Sequence, residues 1–168
     1  MEIYQLDDKG HLFISPDIDD WSIVRERDIC AIIDMDGDLD LGVPSVPNEY
    51  LYIYFPIDDV VALPDLEKLH AVARMGALLA GQGMNVLSHC GMGHNRCALV
   101  AGLILTYMGL TGREAVDLIR SKRQGALYNK AFADYIAAQP AQPLDTGPQM
   151  AAQPAEALLR AIANQELQ

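Results

Sequence analysis

Between Asn85 and Leu105 the chain leaves a short apolar run, crosses the polar stretch His89-Cys90-Gly91-Met92-Gly93-His94-Asn95-Arg96, and enters a run that is apolar nearly all round. Asn85 to Ser88 reads as a strand. Arg96 to about Met108 reads as a helix with no polar face, which places it centrally. A strand, a tight loop and a buried helix suggest an α/β domain. The loop itself is chemically specific. Glycines at 91 and 93 let successive N–H groups turn inward, and the following helix adds its positive end. Such a nest holds a tetrahedral dianion. A cysteine at its base feels the same field and loses its proton more readily than a free thiol. Arg96 brings a planar fork that grips two oxygens of the anion.

The rest of the chain supplies the frame. Ile3 to Leu6 and Leu12 to Ile14 bracket Asp7-Asp8-Lys9-Gly10 as a short hairpin. Ser15-Pro16-Asp17 carries the signals of a helix start, with Ser15 as cap and a helix running to Arg27. Ile29 to Ile33 is a buried-strand pattern ending in the acidic loop Asp34 to Asp40, and Leu51 to Ile57 is a second strand. A helix begins at Pro64-Asp65 and stops at Gly81-Gln82-Gly83. Thr111 and Glu114 form a capping-box pair for a helix to about Arg123, and Asn129 caps another to about Ala138. Cys30 is expected in the core, and Trp21, Tyr50, Tyr52 and Tyr54 in the core or at the rim of a pocket. The body is expected over residues 1–138. Residues 139–168 read as a Pro/Gln/Ala-rich linker, Gln139 to Pro154, and a weakly amphipathic helix, Ala155 to Leu167.

Composition narrows the function. The 168 residues are 51% hydrophobic and 21% charged, a folding composition of single-domain length. Twelve Lys plus Arg against 23 Asp plus Glu leave a net charge of -11, which repels phosphate backbones and argues against nucleic acid as a partner. Three cysteines make no disulfide scaffold and point to a reducing compartment. The N-terminus has no basic and apolar leader pattern, and the longest apolar run, Cys97 to Leu105, is too short to span a bilayer. The expectation is a cytoplasmic protein without a membrane partner.

His89-Cys90-x-x-Gly93-x-x-Arg96, with its strand before and helix after, resembles the signature of the cysteine-dependent protein tyrosine phosphatase superfamily, and more closely its dual-specificity branch. Phe55-Pro56-Ile57-Asp58-Asp59, followed by Pro64, looks like that family's acid loop. Arg123 to Asn129, followed by Phe132, looks like the segment that packs under the phosphate loop. The likeness runs from about Leu12 to Ile136. It implies an α/β fold, a central mixed sheet flanked by helices, of dual-specificity size. It implies a hydrolase in which the Cys90 thiolate attacks phosphorus, while Arg96 and the amides of Gly91, Met92, Gly93, His94, Asn95 and Arg96 hold the phosphoryl oxygens. Asp59 or Asp58 then serves as general acid. His89, Cys97 and Asn129 take supporting roles, Asn129 either as a helix cap or as a brace for the loop. No metal and no cofactor is implied. The substrates implied are phosphorylated proteins, at phosphotyrosine and in addition phosphoserine or phosphothreonine, or small phosphomonoesters.

Two departures from the family pattern stand out. Cys97 occupies the position where the family carries Ser or Thr, whose hydroxyl supports the departing thiolate. A thiol donates more weakly, so hydrolysis of a phosphoenzyme is expected to slow, and a module that captures phosphorylated partners becomes the alternative. The same position puts Cys97 near Cys90, so a reversible Cys90–Cys97 disulfide is expected under oxidation. His94 adds a titratable group to the loop, where lipid-directed members carry lysines. An Asn-Arg pair is also found in the loop of RNA triphosphatases, but the net charge disfavours long RNA.

Two other motifs compete. Ile32-Ile33-Asp34-Met35-Asp36-Gly37 resembles the first motif of haloacid-dehalogenase-type phosphatases, which would make Asp34 a magnesium-dependent nucleophile and Asp36 its acid/base. Asp38 stands where that family has threonine, and a solvated strand exit is the simpler reading. The same acids fail as an EF-hand, because Leu41 falls where glycine is required. His89, Cys90, His94 and Cys97 are all possible zinc ligands, but adjacent His89 and Cys90 point in opposite directions along a strand.

Overall fold

The computed structural model describes residues 1–144, so the helix expected over Ala155 to Leu167 and the later part of the linker lie outside the described residues. Five strands form one mixed sheet in the order β1-β2-β5-β3-β4: β1 (Tyr4–Gln5), β2 (Leu12–Ser15), β3 (Ile29–Asp34), β4 (Leu51–Tyr54) and β5 (Asn85–His89). Only β1 runs antiparallel, as the expected hairpin with β2; β2, β5, β3 and β4 are parallel. The helices are α1 (Trp21–Glu26), α2 (Leu66–Gly81), α3 (Arg96–Tyr107), α4 (Gly112–Lys122) and α5 (Lys130–Ala137).

Strand alternation divides the core in two. Leu12, Ile14, Ala31, Ile33 and Val86 face the larger cluster with α2 to α5, and Phe13, Ile29, Ile32 and Leu87 face a smaller one with Val24 of α1. Helix α3 is buried from Cys97 to Tyr107, as its unbroken apolar surface requires. The expected caps of α4 and α5 are present: Thr111 and Glu114 bond reciprocally, and the Asn129 side chain accepts from the Ala131 amide.

Two local expectations give way to the sheet. Ser15 does not cap a helix. It remains in β2 opposite His89, its carbonyl accepts from the Cys90 amide at 3.4 Å, and the helix starts later, capped by Asp20. Strand pairing commits the Ser15 backbone, and that outweighs the local Ser-Pro-Asp signal. Strand β4 ends at Tyr54 rather than Ile57. The Phe55 amide still bonds to the Asp34 carbonyl, but Pro56 has no N–H to continue the ladder. Cys30 is half-buried at a register shift between β3 and β5. Residues 139–144 lie against the body, with the Gln142 and Leu144 amides bonded to the Thr106 and Tyr107 carbonyls at 2.9 Å each.

The pairing aligns Ser15, His89, Asp34 and Tyr54 at the carboxyl ends of four adjacent parallel strands. Clefts in parallel sheets open at this edge, and here the Cys90 loop, the acidic loop and the Phe55 to Asp65 loop meet. Among the described residues no helix is long and apolar enough to cross a membrane.

Candidate active site

Strand β5 delivers Cys90 to the base of the loop, where it is 2% exposed. The chain turns back at once, with the Gly93 amide bonded to the Cys90 carbonyl at 3.1 Å. Gly93 takes φ +64°, and a Cβ there would collide with the backbone of Ser15 and Pro16, so only glycine fits the closure against β2. At Gly91 a Cβ would come within 3.0 Å of Asp36 Oδ2. Met92, between them, points out to solvent.

The Cys90 thiol is brought down from its ordinary 9.0 to about 6. The hydrogen bond from the Cys97 thiol is the main cause; burial opposes it, while the Cys97 and Gly93 amides and the Arg96 charge assist. Cys97 moves the other way. It is fully buried in the first turn of α3, and burial first, then its bond to Cys90, holds its thiol well above the ordinary value. The backbone here is fixed by Ser88, whose Oγ donates to the Cys97 carbonyl at 3.0 Å.

Arg96 is anchored on one side only. Its Nη1 donates to the Met35 carbonyl at 3.1 Å and to Asp36 Oδ1 at 2.9 Å. Its Nε is buried with no hydrogen-bond partner among the described residues. The guanidinium therefore keeps donors free for an anion.

The acid loop is tied to the phosphate-type loop through two asparagines. Asn95 Nδ2 donates to Asp59 Oδ2 at 2.8 Å, and Asn129 Nδ2 donates to Asp59 Oδ1 at 2.9 Å. The Asn129 amide bonds back to Asn95 Oδ1 at 3.0 Å. Asn129 is thus both a helix cap and a brace. Asp58 is exposed and makes no side-chain hydrogen bond with the described residues. Segment 123–129 lies under the loop as expected: the Leu127 amide bonds to the His94 carbonyl at 2.9 Å, and Arg123 Nη2 donates to the Met92 carbonyl at 2.9 Å. His94 packs beside Tyr128, its ring 6.2 Å away, and its Nδ1 is 3.4 Å from Arg123 Nη2. A pocket of about 600 Å³ opens between Gly37, Phe55 to Val60, Pro64 and Arg96.

The competing motifs are dispersed. Asp36 is engaged with Arg96, and Asp34 is fully buried, its Oδ2 2.6 Å from the Tyr52 hydroxyl, so the two acids do not stand as a free nucleophile and its partner. The structure does not bring His89, Cys90, His94 and Cys97 together as ligands. His89 faces Asp34 and Asp40 instead. Three contributors escaped the sequence reading: Asp36 as the partner of Arg96, and Asp40 and Tyr52 around His89. The Asp34–His89 register holds most of that information, and it appears only once β3 and β5 are paired.

Neither a family model nor a curated protein sequence matches this chain. Solved structures do. Tk-PTP in its active form is 24% identical over 80% of this chain and 95% of its own, with a TM-score of 0.64. Human DUSP28 is 18% identical over 80% of this chain and 89% of its own, with a TM-score of 0.68. A human tyrosine phosphatase-like serine/threonine/tyrosine-interacting protein is 17% identical over 80% of this chain and 92% of its own, with a TM-score of 0.65. At these identities the likeness is one of architecture: the chain has the fold of the cysteine-dependent protein tyrosine phosphatases, in the compact form of the dual-specificity branch.

Proposed function

We propose that the chain is a phosphatase that hydrolyses phosphate monoesters through a phosphocysteine at Cys90. The observation that carries this reading is the presence in one loop of a cysteine ionising near neutrality and a guanidinium with a buried, unpartnered Nε. The Cys90 thiolate attacks phosphorus in line with the leaving oxygen, so that an S–P bond forms as the P–O bond breaks. Arg96 and the amides of residues 91 to 96 hold the equatorial oxygens. Asp59 gives its proton to the leaving oxygen, then takes one from the water that attacks phosphorus and releases the thiolate. Its two amide partners favour it over Asp58, because they hold its carboxyl against the loop. The scheme needs no metal. The substrates proposed are phosphotyrosine, with phosphoserine, phosphothreonine and small phosphomonoesters as further substrates.

Cys97 supports a second reading, a phosphate-capturing module of slow turnover. Its buried thiol stands where a hydroxyl would donate more strongly to the departing thiolate. Hydrolysis of p-nitrophenyl phosphate with reductant and EDTA separates the readings. Activity that Cys90→Ser abolishes is the expected result. A strict need for magnesium, with activity lost in Asp34→Asn and kept in Cys90→Ser, overturns the cysteine mechanism. Silence of the wild type, with phosphopeptide still captured, selects the module.

A further inference from the structure

His89, Asp34 and Asp40 meet at the carboxyl ends of β5 and β3 with no lysine or arginine paired to them among the described residues. Asp34 and His89 are fully buried, and the Asp40 side chain is 4% exposed. The His89 Nε2 lies 3.0 Å from Asp40 Oδ2 and 3.7 Å from Asp34 Oδ1. One donor atom from each of the three falls within 4.8 Å of the others. Yet neither ring nitrogen of His89 makes a hydrogen bond of adequate geometry. The imidazole is aimed between two carboxylates, within reach of Asp40 but without a well-aligned hydrogen bond to either.

Charge accounting makes the arrangement unusual. Two carboxylates largely out of contact with water must be neutralised by a proton, by the nearby imidazole or by a metal cation. The Tyr52 hydroxyl touches both, at 2.6 Å from Asp34 Oδ2 and 2.7 Å from Asp40 Oδ2, but it has one proton and can donate to only one. A divalent ion would supply that compensation in one step, since its two charges cancel two carboxylates. The spacing agrees. Ligand atoms around a tetrahedral zinc with bonds of about 2.0–2.1 Å stand roughly 3.3–3.4 Å apart, and the two His89–carboxylate distances of 3.0 and 3.7 Å bracket that value.

We propose that Asp34, Asp40 and His89 form a structural site for a zinc-type divalent cation, distinct from the phosphate-binding chemistry. One imidazole nitrogen and two carboxylate oxygens are a ligand set that zinc accepts, with a water completing the tetrahedron. Tyr52 and the Asp36 amide, which donates to Asp34 Oδ1 at 2.8 Å, are outer partners that orient the ligating carboxylates. The ion ties the loop carrying Asp40 to the edge of the sheet. Because Asp36 follows β3 and Arg96 follows β5, the two strand ends that the ion would join, it stiffens the floor of the pocket without entering it.

The test uses the full chain as Cys90→Ser, so that no thiolate at position 90 captures metal. After dialysis against chelator, one equivalent of zinc is expected to remain bound through gel filtration and to raise Tm by about 5 °C. Adding Asp40→Asn is expected to abolish both effects. Cobalt(II) provides a reading that does not depend on that variant folding: it should give visible bands of tetrahedral N/O ligation without a thiolate charge-transfer band. No retained ion, an equal zinc shift in the Asp40→Asn protein, or a thiolate band in the cobalt spectrum overturns the site. The phosphatase reading is judged separately, by activity in EDTA, so the two stand or fall independently.

Discussion

Asp36 Oδ1 stands 2.9 Å from Nη1 of Arg96, so the guanidinium that faces the nest already carries one internal anion. The pair is partly exposed, with side chains 17% and 34% accessible for Arg96 and Asp36. A phosphate entering beside it gains the free Nε but is repelled by the carboxylate. Asp36→Asn keeps an oxygen for Nη1 and removes the charge. A half-exposed charge of this kind is worth about 1 kcal/mol, so inorganic phosphate should inhibit the variant about 5-fold more tightly. Weaker inhibition would mean that holding Arg96 in place outweighs the repulsion.

The Cys90 thiol titrates near 6, and only the thiolate is nucleophilic. Alkylation by iodoacetamide should therefore rise through pH 6 and level off above it. The linkage to stability has the same sign. A thiol whose folded pKa lies below its unfolded value adds stability that is complete above the unfolded value and lost as pH falls through about 6. The Tm of the wild type relative to Cys90→Ser should grow between pH 6 and 9. An alkylation midpoint that stays at the ordinary thiol value would contradict the field argument.

Asp59 has both carboxylate oxygens held by amides, and Asp58 has neither. Asp59→Asn should lower kcat by about 10²–10³ on an alkyl phosphate, whose leaving oxygen needs a proton, and by less on p-nitrophenyl phosphate. Asp58→Asn should stay within a few fold of wild type on both. Asn129→Ala removes one of the two ties and also a helix cap, so a kcat loss and a fall in stability of about 1 kcal/mol should appear together. The reverse ranking of the two aspartates in kcat would reassign the acid.

How much of this was legible depended on whether the deciding partner was near in sequence. The Cys90 loop, the Thr111–Glu114 cap and the Asn129 cap rest on residues within one turn or one loop, and they read directly. The acidic loop did not. Asp34, Asp36 and Asp40 look like a local motif, but their partners are His89, Arg96 and Tyr52, brought beside them by the β3–β5 and β3–β4 registers. Ser15 failed for the same reason, since its local signal for a helix lost to a strand partner, His89, far along the chain. Local chemistry is written in spacing, whereas the ownership of a buried charge is written in topology.

Asp17, Asp36 and Asp58 stand around the loop and the pocket mouth, and the whole chain carries a net charge of -11. A phosphopeptide with basic flanks should show a higher kcat/KM than the same peptide with acidic flanks, and the gap should close as salt is raised from about 0.01 to 0.5 M. Equal rates at low salt would place the substrate's flanks away from these carboxylates.

Cys97 is expected to govern both turnover and protection. Its buried thiol acts on Cys90 as a hydrogen-bond donor, which sets the two side chains as neighbours at the base of the loop. With hydrogen peroxide as oxidant, the Cys90 thiolate takes one oxygen to become a sulfenic acid. The Cys97 thiol then attacks that sulfur, an S–S bond forms and water leaves. Peptide mapping should find a Cys90–Cys97 link that dithiothreitol reverses with recovery of activity, while Cys97→Ala should go on to irreversible sulfinic acid at Cys90. The same position sets the rate. Cys97→Ser offers a stronger donor to the departing thiolate, so the second step should accelerate, with kcat rising several fold and any initial burst of p-nitrophenol flattening. If Cys97→Ser leaves kcat unchanged, hydrolysis of the phosphoenzyme is not limited by that hydrogen bond. The argument for a slow, capturing module then loses its physical basis.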